Sequence, residues 1–187
     1  MNNERAAVGV QILPATSEML PEILSLEEAC FSSPWTRTML EAELMGNQFA
    51  HFFVAMRETP LSGEVERAIV GYHCFWIVFE ELRLMNLAVH KSMRRQGVGT
   101  ALASEAFRVA LDQAATRAVL EVRSSNEPAC LLYRQMGFIQ IGTRPRYYSN
   151  PIEDAVLMEL NPLVMPSGRH DVPMHRTGGG STSTDSL

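Results

Sequence analysis

The sequence predicts a single α/β domain of mixed (α+β) character, a twisted mixed sheet of about seven strands flanked by helices. Three observations carry this expectation. Runs rich in β-branched and aromatic residues alternate with stretches whose apolar residues recur at helical spacing. In mid-chain, the strand-like Leu84-Met85-Asn86-Leu87-Ala88-Val89 passes through the turn Arg94-Arg95-Gln96-Gly97-Val98-Gly99-Thr100 into a helix. A length of 187 residues with 46% hydrophobic content suits one ordinary domain with a proper core.

Residues 10–13 read as a short first strand that Pro14 stops. Thr16 or Ser17 caps a helix to about Cys30, with Leu20, Ile23, Leu24 and Leu26 as its apolar face. Ser32-Ser33-Pro34-Trp35-Thr36 is a turn, and Thr36 or Thr38 caps a short helix through Met45. Residues 48–56 and 68–79 are strand-like, and the turn chemistry of Thr59-Pro60-Leu61-Ser62-Gly63 makes them a hairpin. Residues 81–89 form the next strand and lead into the glycine turn. In the helix that follows, over 101–114, Val98, Ala101, Leu102, Ala106, Val109 and Ala110 share a face opposite Ser104, Arg108 and Asp112. Residues 118–122 are a strand, and 126–136 a helix ended by Gly137. Residues 138–142 and 155–160 complete the sheet, with 144–154 expected as the loop between them.

Beyond Pro162 the composition turns to Gly, Ser, Thr, Pro and His, with nothing to bury. The expected organisation is a flexible N-terminus over 1–9, one domain over 10–160 and a disordered tail over 161–187. No apolar run approaches the roughly 18–20 residues that span a bilayer, and the first residues lack the charged-then-apolar order of a signal peptide. Cys30, Cys74 and Cys130 are odd in number and form no CxxC, as expected of reduced thiols in a cytoplasmic protein. The five histidines show no metal-ligand spacing, so no metal is expected. A net charge of −5 argues against a nucleic-acid partner, which would require a basic surplus.

A strand, a glycine turn and a helix in that order place free backbone N–H groups at a helix N-terminus, where they bind an anion, most often phosphate. Arg94 and Arg95 add positive charge. The P-loop pattern is absent, because no Lys follows Gly99, and the dinucleotide pattern lacks its third glycine. What remains is R-x-x-G-x-G, which an ordinary turn with surface arginines also satisfies.

The wider context is more specific. Asn86-Leu87-Ala88-Val89, the R-x-x-G-x-G turn, Leu120-Glu121-Val122-Arg123-Ser124-Ser125-Asn126 and Leu132-Tyr133-Arg134-Gln135-Met136-Gly137-Phe138 together resemble the GNAT acetyltransferases. Pro34-Trp35-Thr36, and Arg146-Tyr147-Tyr148 followed by Glu153-Asp154-Ala155, narrow the likeness to the RimI-type N-terminal acetyltransferases. These act on the alanine end of a ribosomal protein. The resemblance covers residues 10–160 and implies the GNAT fold, with acetyl-CoA as co-substrate. Its pantetheine arm would pair with the backbone of Leu87, Ala88 and Val89, and its pyrophosphate would lie on Arg95, Gln96, Gly97, Val98, Gly99 and Thr100, with Arg94 beside them. A β-branched residue at Gly97 or Gly99 is expected to block that approach.

By family position, Glu121 is the base that deprotonates the acceptor amine and Tyr133 the acid for the departing thiolate. Asn126 touches the cofactor, and Trp35, Tyr147 and Tyr148 lie on the substrate side. The implied reaction is direct attack in a ternary complex, with a protein or peptide N-terminus as partner and no membrane. The same fold acting on a lysine or a small amine, and a non-catalytic acetyl-CoA-binding subunit, are the rival readings. The loop over 144–154 is shorter than in such relatives, and the tail has no counterpart in them. Cys130 is expected in the core, His73 as a satisfied core histidine, and His90, Arg144 and Arg146 without chemistry.

Overall fold

The computed structural model describes residues 9–61 and 64–165; the other residues, which include most of the predicted terminal segments and Ser62-Gly63 of the predicted turn, lie outside the described residues. The chain runs β1 (Val10–Pro14), α1 (Leu20–Cys30), α2 (Arg37–Glu41), β2 (Ala50–Leu61), β3 (Glu64–Val78), β4 (Glu81–Val89), α3 (Val98–Asp112), β5 (Arg117–Arg123), α4 (Glu127–Gln135), β6 (Ile139–Ser149) and β7 (Ile152–Leu160). Seven strands form one sheet in the order β1-β2-β3-β4-β5-β7-β6. Every neighbouring pair is antiparallel except β4 and β5, which are parallel because α3 carries the chain back between them.

Both faces of the sheet are covered. On one face Leu20, Ile23 and Leu26 of α1 pack with Leu40 against Phe52, Val54, Tyr72, Cys74 and Ala88. On the other, Ala103, Ala106, Phe107 and Ala110 of α3 and Cys130 and Tyr133 of α4 pack against Phe75, Leu84, Leu120, Val122 and Met158. Thr36 caps α2, accepting from the Met39 N–H at 3.3 Å. Thr16 precedes a short 3₁₀ turn, Ser17–Met19, and makes no side-chain cap.

Three expectations need correction. Thr59, Pro60 and Leu61 belong to β2, since the ladder with β3 runs as far as Leu61↔Glu64; the cross-strand pair Glu58–Arg67 (2.9 Å) favours this extension. The expected loop over 144–154 is mostly hairpin: β6 continues through Tyr147 and Tyr148 to Ser149, and β7 begins at Ile152. Its run Thr143-Arg144-Pro145-Arg146 lacks alternation because β6 is an edge strand, where proline and charge are tolerated, and its ladder with β7 is interrupted between Arg144 and Tyr148. The packed domain also extends past residue 160, for Leu163 is buried and its N–H donates to the Thr116 carbonyl at 2.6 Å.

His73 is only half satisfied. Its ring is fully buried under α3, with Nδ1 3.3 Å from the Leu102 carbonyl, so Nδ1 carries the proton and donates. Nε2 meets no partner among the described residues. Burial disfavours the charged ring and pushes its pKa down to about 4. The unfolded chain therefore takes up a proton that the native ring refuses, and this contribution to stability is lost as pH falls from the ordinary 6.5 towards 4. Urea unfolding of His73→Phe is expected to show a flatter dependence than the wild type across that window; parallel curves would contradict the assignment.

Candidate active site

The site begins where two strands part. β4 and β5 are in register for four pairs, Glu81↔Arg117 to Leu84↔Leu120. Past Leu84, β4 pairs only with β3, as far as Val89↔Gly71, and past Leu120, β5 pairs only with β7, as far as Arg123↔Ala155. On the gap side the backbone of Leu87, Ala88 and Val89 thus presents groups that no strand among the described residues pairs with. An extended, amide-bearing ligand can satisfy them as an added strand would.

The glycine turn closes one end of this gap. Gly97 precedes α3 at φ 84°, a left-handed conformation that favours glycine. Arg95 is also left-handed, at φ 63°. No side chain caps α3, so the first-turn N–H groups at Val98, Gly99 and Thr100 stay open to an anion. Arg94 is tied down: its Nε donates to the Val89 carbonyl at 3.0 Å, holding the turn against the end of β4. Gln96 does likewise through Nε2 to the Ser92 carbonyl, at 2.8 Å. Gly99 is less demanding than Gly97, since a Cβ there would lie 3.5 Å from Leu132 Cδ2, an ordinary contact.

Glu121 stands on β5 just past the last β4–β5 pair. Leu120 and Val122 are buried towards α3 and α4, so Glu121 faces the α1 side of the sheet. Arg144 of β6 pairs with its carboxylate at 2.8 Å. The Tyr147 hydroxyl also donates to that carboxylate, and this bond is the main reason the tyrosine's pKa is raised. The Tyr148 hydroxyl donates to the Glu121 backbone carbonyl at 3.5 Å, while its ring lies 4.1 Å beneath the Arg123 guanidinium. Burial pushes the Tyr148 pKa up to about 12.

Tyr133 comes from the opposite side of the sheet. Asn126 caps α4, accepting from the Ala129 N–H at 3.2 Å, and α4 buries Tyr133 edge-on against Phe138 with ring centres 5.6 Å apart. Burial raises its pKa well above the ordinary value, and the neighbouring Cys130 and Tyr148 add to the effect. The hydroxyl thus keeps its proton at neutral pH. Cys130 is a buried thiol whose pKa burial likewise raises, as expected of a core cysteine.

The sequence model of the Acetyltransferase (GNAT) family matches residues 20–138. The chain belongs to the GNAT acetyltransferase family. A Bacillus subtilis (strain 168) protein, provisionally named a ribosomal protein bS18-alanine N-acetyltransferase, is 33% identical over 141 residues, 75% of this chain and 88% of its own. The Salmonella typhimurium (strain LT2) protein bearing that name is 30% identical over 157 residues, 81% of this chain and 95% of its own. Among solved structures, the ribosomal-protein-S18-alanine N-acetyltransferase from Escherichia coli superposes with a TM-score of 0.70 at 24% identity, covering 87% of this chain and 99% of that one. Arabidopsis thaliana NAA60 in complex with acetyl-CoA superposes at 0.73 with 16% identity, covering 81% and 98%. The fold is therefore the GNAT fold and the activity acetyl-CoA-dependent N-acetyl transfer.

The walls beside Glu121 are joined to each other. Ser32 and Ser33, in the α1–α2 loop that carries Trp35, donate through Oγ to the Asn150 carbonyl at 3.3 and 3.2 Å. Arg123 donates to the Asn150 and Pro151 carbonyls at 2.9 and 3.2 Å, and to Glu153 at 3.2 Å. Tyr147 and Tyr148 thus sit on a strand beside Glu121, and not on a loop as expected. Arg144, expected to be merely solvated, is the counter-ion of Glu121.

Sequence reasoning missed Glu27 altogether. It is fully buried and accepts from the Trp35 N–H at 2.7 Å, from Asn86 Nδ2 at 3.1 Å, and from the Tyr72 hydroxyl. Burial raises its pKa despite these donors. The signal was available: Leu20, Ile23 and Glu27 lie on one face of α1, so the helical period places a carboxylate among the core residues.

Glu153 holds the hairpin to the start of α4. It accepts from the Ser125 N–H at 2.5 Å and the Ser124 hydroxyl at 3.0 Å, and these bonds with Arg123 lower its pKa from the ordinary 4.5 to about 2. The depressed value means that this tie is whole above pH 4.5 and is lost as pH falls towards 2. Hydrogen exchange at the Ser125 amide is expected to be severalfold faster in Glu153→Gln than in the wild type at pH 5. Equal rates would remove Glu153 as the clamp.

Proposed function

We propose that this GNAT enzyme acetylates the N-terminal α-amine of a protein, with the alanine end of a bS18-type ribosomal protein as its acceptor. The observation that carries this reading is Glu121, a carboxylate beside the parted strands, with Tyr147 and Tyr148 on it and Trp35 in the adjoining wall. The bacterial relatives named for that activity support the choice of acceptor.

The residues present suit the co-substrate. The backbone of Leu87, Ala88 and Val89 would hold the pantetheine arm, and the uncapped turn from Arg95 to Thr100 would hold the pyrophosphate, with Asn126 at the start of α4 as a further contact. Acetyl-CoA, when bound, supplies the acetyl group activated as a thioester. An α-ammonium has a pKa of about 8 and is mostly protonated at neutral pH, so it must lose a proton before it can attack. Glu121 takes that proton, directly or through one water, once the ammonium competes with Arg144 for its carboxylate. Tyr133 keeps its own proton at neutral pH and is the donor for the sulfur that leaves. Cys130, buried and protonated, has no part, in keeping with direct attack in a ternary complex.

Glu121→Gln is expected to lower kcat by roughly 10²-fold or more, with the acetyl-CoA Kd within about twofold of wild type by calorimetry. Unchanged turnover would remove Glu121 as base. Gly97→Val is expected to abolish acetyl-CoA binding, because it forces a β-branched residue into a left-handed conformation at the anion site. A peptide beginning with alanine should release thiol faster than its N-acetylated form carrying an internal lysine; the reverse order would overturn the α-amine reading.

A further inference from the structure

We infer that the side-chain carbonyl of Asn86 is an acceptor-binding group, taking a hydrogen bond from the α-ammonium opposite Glu121. The inference rests on the α-amine reading above and extends it to a residue with no role so far.

Asn86 owes its direction to a bulge. The β3–β4 register steps from Phe75↔Leu84 to Cys74↔Asn86, so Met85 is the extra residue. Strict alternation from Leu84, which packs towards α3, would turn Asn86 to that same side. The bulge reverses this, and Asn86 shares the face of its partner Cys74, which packs with α1. That is the face on which Glu121 stands. Asn86 and Glu121 therefore lie on the two strands that have just parted, looking to the same side of the sheet.

Its orientation is chemically determined. Nδ2 lies 2.8 Å from the Tyr72 hydroxyl and 3.1 and 3.2 Å from the two oxygens of Glu27. A carboxylate only accepts, so the amide must present nitrogen to it. Tyr72 cannot reverse the arrangement, because its proton is committed to Glu27. Oδ1 is thereby directed away from Glu27, and it accepts no hydrogen bond among the described residues. Asn86 itself is only half-buried. A buried carboxylate with solely neutral donors is costly to maintain, and the bonds it makes fix both this amide and the backbone of Trp35. Glu27 is thus a positioning residue for two groups of the acceptor side.

An α-ammonium has three N–H donors and can use both oxygens at once. With one proton passed to Glu121 and another N–H held by Asn86, the lone pair is fixed relative to the cleft rather than free to rotate.

The test uses enzyme saturated with CoA, and measures by calorimetry at pH 6.5 the binding of an alanine-starting hexapeptide and of its des-amino counterpart, with propionyl in place of alanyl. In Asn86→Ala the preference for the amino peptide is expected to fall about tenfold, while affinity for the des-amino peptide stays within about twofold. A similar drop is expected in Glu27→Gln, whose amide lets Asn86 turn round. Equal weakening of both peptides, or an unchanged preference, would overturn the role of Asn86. A wild type that shows no preference at all would instead refute the α-amine reading. Asn86→Ser, whose hydroxyl still donates towards Glu27 but ends further from the gap, gives the same reading where thermal melting shows Asn86→Ala to be unstable.

Discussion

The constraint on which the rest of the molecule depends is the short parallel register of β4 with β5. Four pairs hold the strands together at one end, and at the other each strand pairs only with its outer neighbour. Inside one continuous sheet this leaves two stretches of strand facing each other without a strand between them, where side chains such as Arg94 and Tyr148 take only the Val89 and Glu121 carbonyls. Backbone groups are expensive to leave unmet away from water. The parting therefore leaves room for an added strand-like segment, and the start of α3, which no side chain among the described residues caps, lies at the end of that room.

The carboxylates around the gap show how environment separates roles. Glu121 is half-buried with Arg144 beside it, a counter-ion on an exposed side chain that an incoming cation can replace. Glu153 accepts from a backbone N–H, a hydroxyl and Arg123, a set that keeps it ionised far into acid and ties the β6–β7 hairpin to α4. Glu27 lies in the core and, among the described residues, is met by neutral donors alone. The first is available to a substrate, the second fastens two elements, and the third aims its donors.

Much of the glycine turn and its surroundings was legible from local pattern. R-x-x-G-x-G between a strand and a helix has a backbone cause, because Gly97 requires positive φ and the helix start leaves N–H groups open. Gly137 as terminator was readable in the same way, at φ 98°, and the structure shows that Asn126 also caps α4. The surroundings of Glu121 were not legible in this way. Thr143-Arg144-Pro145-Arg146 has the composition of a loop, and only the ladder from β7 makes it an edge strand that brings Arg144 and Tyr147 to Glu121.

The sequence by itself determined the helices, most strands, the family and the glycine turn before α3, since those follow from spacing and conformational preference within a few residues. Tertiary structure decided which polar groups meet. The bulge at Met85 changes the face of Asn86, a matter of pairing with β3 that no period in β4 reveals. Glu27 reaches Tyr72 and Asn86 only because α1 lies across β3 and β4, 45 and 59 residues further along the chain. Side-chain direction at a bulge and partnership across layers depend on long-range register, and a one-residue step there moves a group to the opposite side of the sheet.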